Sequence, residues 1–325
     1  MRRSTIVVSV LAGVGGVAIV STVALFVWLA YTVSQTMGRP RAMGGPMWVA
    51  PSGEIAQRHE DYGEARASFR TKLLRAGPSP QPLTEAARIP AGTQQITFHS
   101  GELQLAAHVD VAPAHGVKRP AVLFLHGGFA FGGDDLEMPQ PFRDAGYVVM
   151  MPVLRGENGQ PGTVTMCYEE LDDVFAAADA LAALPYVDSE RLFVAGHHAG
   201  GTLAMQAAMM SARFRAAATF SGTCDARFEH LAYTPFDRSD PREFEMRSPA
   251  AFATSLKCPL RLYYGNQEPW AATPTSTTVD RARRAGLDVD SEMVPGNHMT
   301  HVPESIRRAV EFFRRSSTAE ATRPE

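Results

Sequence analysis

The order of apolar and polar residues sets the first part of the chain apart from the rest. Residues 4–38 carry no charged side chain, and residues 6–33 are almost wholly apolar. A helix needs about 20 apolar residues to cross a bilayer, so this run is long enough to span one. Trp28 and Tyr31 stand at its far end, where aromatic residues mark the membrane surface. The pattern predicts a cytoplasmic stub and a transmembrane helix within residues 1–35.

The rival interpretation of this run is a cleaved signal peptide. The apolar core of such a peptide is about 7–15 residues long and precedes a cleavage site of small residues. This run is longer and no such site follows it, which favours an uncleaved signal anchor. Arg2 and Arg3 favour a cytoplasmic amino terminus, although Arg39 and Arg41 on the far side weaken that bias. We therefore expect a single-pass membrane protein whose soluble domain is periplasmic or extracellular.

Proline and glycine are frequent in the next part of the chain, residues 36–91. They cluster at both of its ends, and such density breaks regular structure. Between the clusters, residues 52–74 are charged and rich in alanine, which is typical of one surface helix. The composition predicts a juxtamembrane linker, followed by a domain at residues 92–317 and a disordered tail at 318–325.

From residue 92 onwards the apolar pattern alternates between strand and helix periods. Residues 94–111 alternate between apolar and polar positions, which predicts a β-hairpin with one solvent-exposed face. The continuous apolar runs at 120–125 and 147–153 indicate strands that are buried on both faces. Further strands are predicted at 192–195, 216–221, 259–265 and 288–294, and helices at 141–145, 166–184, 200–210, 278–285 and 303–316. This alternation predicts an α/β fold with a mostly parallel, doubly wound sheet and the antiparallel hairpin at one edge.

Residues 223–253 interrupt the alternation. They combine aromatic residues with a charged stretch, FDRSDPREFEMRSP. Ligands bind beyond the carboxyl ends of the strands in open α/β sheets. The segment is therefore expected to be an insertion over that edge, where a lid is one interpretation of it.

Charge and cysteine content restrict the partners and the chemistry. The formal net charge is −3, so the chain has no excess of basic residues, and nucleic acid is not expected as a partner. Cys167, Cys224 and Cys258 include no C-x-x-C pair, which excludes a zinc ribbon or a dense disulfide framework. A single Cys224–Cys258 disulfide and three reduced, buried thiols both remain open, and the thiols are preferred. No cofactor and no metal are predicted.

The strongest chemical signal is the stretch Gly196-His197-His198-Ala199-Gly200. It follows a buried strand and precedes a helix, and its glycines match the G-x-S-x-G turn that holds a catalytic serine at a strained tip. The glycines are needed because the backbone there crowds the neighbouring strand and helix. The tip position holds His198 where the pattern has serine. The sequence thus keeps the frame of a nucleophile elbow and changes its nucleophile.

Backbone donors for an oxyanion hole are expected in the turn after the first buried strand of the domain. There His126 is followed by Gly127, Gly128 and Phe129, and small residues let backbone N–H groups point into a cavity. The amide of Ala199, just past the elbow tip, is the other predicted donor. A plain tight turn is the alternative interpretation of the two glycines. Donors of this type contribute about 3–4 kcal/mol to a transition state.

An acid and a base follow in chain order. Glu268 comes just after a predicted strand, where a carboxylate can accept the Nδ1–H of a histidine and hold its tautomer. His298 follows the next predicted strand and is the predicted base, whereas His301 fits the spacing less well. Nucleophile, acid and base in this order are typical of α/β hydrolases. The candidate catalytic residues are therefore His198, Glu268 and His298.

With these motifs together, residues 92–313 resemble the α/β-hydrolase superfamily. Within it they are similar to the catalytic domain of prolyl oligopeptidase-type and acylaminoacyl-peptidase-type serine hydrolases and to dienelactone-hydrolase-like esterases. The stretches that carry the resemblance are residues 121–135, 141–162, 181–204, 248–265 and 294–298. The resemblance implies hydrolysis of an ester or amide through an acyl-enzyme, with a small ester or peptide-like ligand. It also implies that His126 and Arg155, the latter in an R-G turn, contact the substrate.

Three interpretations of His198 follow. In the first, which we prefer, the protein is a degenerate hydrolase, since loss of such a nucleophile costs on the order of 10⁶ in kcat; a binding or scaffolding protein would remain. In the second, His198 itself or a water molecule is the nucleophile. In the third, His198, His298 and Glu268 form a His₂-carboxylate metal site, a ligand set that suits zinc.

Overall fold

The computed structural model describes residues 53–112, 116–228 and 234–318. They lie within the unit Pro51–Glu325. The predicted transmembrane anchor and nearly all of the predicted tail fall outside these ranges. Among the described residues, none of the helices is both long enough and apolar enough to cross a bilayer.

An eight-stranded sheet forms the centre of the fold, in the order β1-β2-β4-β3-β5-β6-β7-β8. The strands are β1 (Thr93–Ser100), β2 (Leu103–Asp110), β3 (Arg119–Leu125), β4 (Val148–Pro152), β5 (Val187–His197), β6 (Ala217–Phe220), β7 (Leu260–Gly265) and β8 (Val289–Val294). The β1–β2 and β2–β4 pairs are antiparallel, and the remaining neighbours in the sheet are parallel. The predicted parallel sheet with an antiparallel edge hairpin is confirmed.

Both faces of the sheet are covered, as the continuous apolar strands require. Along β3, Leu123 and Leu125 belong to one apolar cluster, whereas Val122 and Phe124 belong to the other. This alternation follows from the two-residue period of a strand. Each such side chain contributes about 1.5–3 kcal/mol when it is fully buried. The two clusters fix the sheet rigidly, and the loops at the carboxyl ends of its strands carry the candidate site.

Seven α-helices occur in the described ranges. The predicted helices near residues 141, 166, 200 and 303 are found close to their predicted bounds, whereas the helix at 241–245 was not predicted. The seven helices are α1 (Tyr62–Ser68), α2 (Gln140–Asp144), α3 (Glu170–Ala182), α4 (His198–Met210), α5 (Pro241–Glu245), α6 (Pro269–Arg284) and α7 (Val302–Thr318). α6 begins at Pro269 rather than at residue 278. Proline suits the first turn of a helix, where no N–H is needed. Pro274 lies inside α6, and the helix continues past it. In the sequence alone, a proline at such a position predicts a break in the helix.

The structure corrects the predicted linker at residues 36–91, because the part of it around Tyr62 is packed onto the sheet domain. Tyr62 is fully buried there. Its hydroxyl donates to the Met246 carbonyl at 3.0 Å, and its backbone N–H donates to Ser255 Oγ at 3.0 Å. The folded domain therefore begins well before residue 92.

The predicted surface helix at residues 52–74 is also different in the structure. Only seven residues are helical, in α1, and the Asp61 carboxylate caps its first turn. Ile55 and Ala65 are buried in the same apolar cluster as the core of the sheet. Within so charged a stretch these few apolar positions form no clear pattern. The sequence therefore did not predict which face of α1 is buried.

The predicted lid insertion at residues 223–253 is, in its described part, packed into the core. Met246 and Phe252 are fully buried. The Arg247 guanidinium is buried as well and pairs with the Glu243 carboxylate at 2.6 Å. A buried charge is costly unless it is paired, so this ion pair belongs to the fold. The segment and the residues around α1 form one packed layer.

The three cysteines are free thiols, so the Cys224–Cys258 disulfide is not formed. Cys167 and Cys224 are buried, and Cys258 is partly buried. Burial raises the pKa of the Cys224 thiol to about 11. The thiol is therefore protonated at neutral pH.

Candidate active site

The candidate site is built around the turn between β5 and α4. β5 ends at His197 and α4 begins at His198, which has a φ of +48°. That left-handed conformation is uncommon for a residue with a side chain. A Cβ on Gly196 would lie 2.3 Å from the Gly200 carbonyl oxygen, and a Cβ on Gly200 would lie 2.2 Å from that of Leu125. Glycine is therefore required at both positions, and the turn has the form of an elbow with His198 at its tip.

Glu268 and His298 meet beside this elbow. Glu268 ends the loop after β7, and His298 lies in the loop between β8 and α7. His298 Nδ1 donates to Glu268 Oε1 at 2.6 Å. Because the proton of the neutral imidazole is held on Nδ1, the lone pair lies on Nε2, the atom that a triad base uses. The His298 side chain is 36% exposed and that of Glu268 2%, so the imidazole reaches the cleft while the carboxylate lies behind it.

Glu268 is an anion at neutral pH. Burial acts to raise its pKa, but hydrogen bonds from His298, Ser221 and the Gly265 N–H outweigh this effect and hold the pKa at about 2. The distances to Ser221 Oγ and to the Gly265 nitrogen are 2.6 Å and 2.7 Å. A permanently charged carboxylate fixes both the tautomer and the orientation of His298.

Ser221 and His301 form a buried chain behind the carboxylate. Ser221 Oγ donates to Glu268 Oε2, so the 2.7 Å contact with His301 Nε2 requires that nitrogen to be the donor. His301 Nδ1 then accepts from Ser305 Oγ at 2.8 Å. Burial lowers the pKa of His301, which is fully enclosed. His301 thus lies enclosed behind Glu268 and is not among the residues that line the cleft.

Three imidazoles crowd the elbow. The ring centre of His298 lies 4.6 Å from that of His197 and 5.1 Å from that of His198. His197 Nε2 donates to the His298 carbonyl at 3.1 Å. Burial, together with the other two imidazoles, lowers the pKa of His197 to about 3, so this ring is neutral. A Cβ on Gly127 would lie 2.6 Å from His197 Nδ1, which explains the glycine there.

The predicted oxyanion-hole donors face groups of the protein itself. The Gly128 N–H donates to His198 Nδ1 at 3.3 Å. The Phe129 N–H donates to the side-chain oxygen of Gln81 at 2.9 Å. Ala199 lies directly after His198 in the first turn of α4. Gln81 has no chemical signature in the sequence, and its place in the site follows from the fold alone.

His126 and Arg155, expected from the family resemblance to contact substrate, are engaged in buried ion pairs instead. His126 Nε2 lies 2.9 Å from Glu157 Oε2, and both side chains are buried. Arg155 binds the Asp173 carboxylate through two nitrogens, at 3.0 Å and 2.8 Å. Neither residue is among those that line the cleft. Their role is to fix the loops after β3 and β4.

The elbow opens into a cleft of about 310 Å³. Its walls are the loop at 127–138, the three histidines at 197, 198 and 298, and residues 81–85 from the amino-terminal part of the domain. Within the described ranges, no three His, Cys, Asp or Glu side chains are grouped to hold a metal ion. Both oxygens of Glu268 are taken by hydrogen bonds, so the hypothesis of a His₂-carboxylate metal site has no support here.

The sheet order, the elbow and the carboxylate–imidazole pair define an α/β-hydrolase. The model of the prolyl oligopeptidase family of peptidases matches residues 135–316, more than half of the chain. The chain therefore belongs to the prolyl oligopeptidase family. The matched residues include the elbow, Glu268 and His298.

Individual proteins similar to this chain carry peptidase names. The uncharacterized peptidase YtmA of Bacillus subtilis is 23% identical over 210 residues, which cover 57% of this chain and 79% of YtmA. The solved acylaminoacyl peptidase of Pyrococcus horikoshii is 20% identical, with a TM-score of 0.59 over 71% of this chain. Dipeptidyl peptidase 4 of Porphyromonas gingivalis is 19% identical, with a TM-score of 0.57 over 69% of this chain. The chain spans 43% and 35% of those two enzymes, so the likeness concerns the fold of one of their parts.

Proposed function

We propose that this family member binds an ester or a peptide-like ligand through a carbonyl group at the elbow and does not hydrolyse it by a serine-type route. The observation that carries the second part of this proposal, the absence of serine-type hydrolysis, is the hydrogen bond from the Gly128 N–H to His198 Nδ1. An imidazole that accepts at Nδ1 carries its proton on Nε2 when neutral. Neither nitrogen of His198 then offers a free lone pair for attack on a carbonyl carbon.

The rest of the site supports descent from a hydrolase of esters or amides. Glu268 and His298 keep the acid–base arrangement, and His298 lies against the elbow residue. In such a site the base takes the proton of a serine hydroxyl while the serine oxygen bonds to the carbonyl carbon. His198 stands where that serine would be. The alternative is hydrolysis by another route, with His198 or a water molecule as the nucleophile.

A His198→Ser variant tests this proposal. The full-length chain in detergent, its H198S variant and an H198A control would be treated with a fluorophosphonate probe and with p-nitrophenyl butyrate. In H198S the serine oxygen bonds to phosphorus, fluoride leaves, and the serine proton passes to His298 Nε2. We expect labelling and ester turnover in H198S alone, and loss of both when His298→Ala is added.

Two results would count against the proposal. Ester turnover by the natural chain that disappears in H198A would make His198 part of a working catalytic site. Failure of H198S to react, both with Gln81 present and with Gln81 replaced by alanine, in chains that melt like the natural one, would mean that Glu268 and His298 are not arranged for catalysis. Either result would contradict the proposal that His198 takes the place of a serine in an otherwise intact site.

We further propose that residues 6–33 anchor the protein in a membrane, with the hydrolase domain on the extracytoplasmic side. The uncharged apolar run and the two arginines before it support this. The chain should stay in the membrane pellet after a carbonate wash. Protease added to the outer face should digest the domain while a tag at the amino terminus survives. Recovery of the full-length chain in the soluble fraction would refute the anchor.

A further inference from the structure

Residues 77–88, here called the cleft strap, pass along the candidate site, and residues 81–85 form part of its wall. One end is held by backbone hydrogen bonds from Ser79 N–H to Gly156 and from Val164 N–H to Gly77. The other end is held by reciprocal bonds between Gly133 and the strap at Glu85 and Arg88, at 3.1 Å and 3.0 Å. A Cβ on Gly132 would lie 2.2 Å from the Glu85 carbonyl oxygen. The strap therefore lies directly on the glycine-rich loop.

Gln81, in the middle of the strap, places its carboxamide at the predicted carbonyl-binding position. Its Oε1 accepts the Phe129 N–H at 2.9 Å. A Cβ on Gly128 would lie 2.9 Å from Oε1 and 3.0 Å from Nε2 of the same side chain. An amide carbonyl thus sits on a backbone donor of the hole, in close contact with the glycine beside it. A peptide or amide ligand presents the same group.

Both ends of the strap are bonded to the domain, whereas its middle is exposed. Residues 82–86 are exposed, and Leu83 is 49% exposed although it is apolar. Displacing this part of the chain would uncover little apolar surface, so it belongs to the elements that open most easily. At the hole itself, the contact of Gln81 with the Phe129 N–H is the interaction that a ligand must replace.

We propose that Gln81 is an internal ligand of the carbonyl-binding site, and that an amide or ester ligand enters by displacing its carboxamide. This rests on the proposed function of the elbow as a carbonyl-binding site. The strap acts as a built-in competitor, and it selects ligands that hydrogen-bond to the hole better than a glutamine side chain does. Removing the carboxamide should open the site without altering Glu268 or His298.

The rate of fluorophosphonate labelling in the H198S background tests the proposal, since the phosphoryl oxygen must enter the hole. The full-length H198S chain would be compared with H198S/Q81A and H198S/Q81N, because asparagine is one methylene too short to reach. The matched control is H198S/Q95A, in which an exposed glutamine of β1 is removed. We expect labelling to accelerate about 2- to 10-fold in both Gln81 variants, the factor for one competing hydrogen bond.

The outcomes separate this inference from the proposed function. Equal labelling rates in H198S and in both Gln81 variants would overturn the inference and leave the proposed function standing. Labelling absent from every chain would overturn both. Labelling that appears only when Gln81 is replaced would mean that the carboxamide closes the hole completely, which supports the inference in its strongest form.

Discussion

Glu268 accepts three hydrogen bonds that favour its charged form, from His298, Ser221 and Gly265. Burial opposes them, yet the pKa is held at about 2 against an ordinary value of 4.5. A carboxyl whose pKa is depressed by folding stabilises the fold above its unfolded pKa. That contribution is lost as the pH falls from about 4.5 through 2. It corresponds to about 3 kcal/mol of unfolding free energy.

Replacing Glu268 by glutamine tests this contribution. The variant should unfold more easily at pH 7 because the charged hydrogen bonds are lost. Its unfolding free energy should also fall less steeply than that of the natural chain between pH 4.5 and 2. Urea unfolding over that pH range measures both effects, with the exposed Glu311→Gln as the control. Parallel curves for E268Q and the natural chain would contradict the assigned role.

His126 gives a prediction of opposite sign. Burial alone would lower its pKa, but the Glu157 carboxylate raises it to about 9. A histidine whose pKa rises on folding stabilises the fold below its unfolded value of 6.5, and this is lost as the pH rises through 9. Glu157→Gln should therefore destabilise the protein by about 3 kcal/mol near pH 6.

The measurement for this variant is the difference in unfolding free energy from the natural chain at pH 6 and at pH 9.5. The difference should shrink at the higher pH because the natural pair has lost its positive charge. Glu137→Gln, at an exposed site, should leave both values unchanged. A constant difference across this range would mean that the pair is not ionic.

Among the elements, the elbow between β5 and α4 depends most on the absence of side chains. Gly200→Ala would place a Cβ 2.2 Å from the Leu125 carbonyl oxygen, a backbone atom that cannot move aside alone. We expect a loss of about 1–3 kcal/mol in unfolding free energy. Gly116→Ala is the control, since nothing lies within 4 Å of its added Cβ. Equal melting temperatures for the two variants would mean that the elbow can relax.

The sequence predicted the elements and residues that are marked by apolar periodicity or by a motif. It did not predict those whose position depends on tertiary packing. The parallel strands and the elbow follow from apolar runs and glycines, and Glu268 and His298 follow from their positions after strands. Gln81 and Ser221 carry no such signal, because an isolated glutamine or serine is common in any loop. Their roles depend on which segments fold back onto the site. The same holds for Tyr62, a single aromatic residue within a charged stretch.

At the scale of the whole molecule, the residues around α1 belong to the domain. A chain that begins at residue 92 would lose the buried Ile55, Tyr62 and Ala65 and would expose the surface they cover. Each large apolar side chain contributes about 1.5–3 kcal/mol, so the loss should reach several kcal/mol. A chain that begins at residue 51 is the control. Urea unfolding and dye binding to exposed apolar surface should distinguish the two, and identical unfolding curves would contradict this assignment.

The packing of the amino-terminal segment also sets an order of events during synthesis on the ribosome. Arg58 pairs with Glu245, 187 residues later, and the Tyr62 N–H donates to Ser255, 193 residues later. At roughly 5–20 residues per second, translation needs about 10–40 s to make those partners. During that interval the side chain of Tyr62 and its apolar neighbours remain exposed on the nascent chain. This segment is made before its partners and is therefore among the last parts of the domain to dock, so chaperones that hold nascent chains have a long opportunity to bind there.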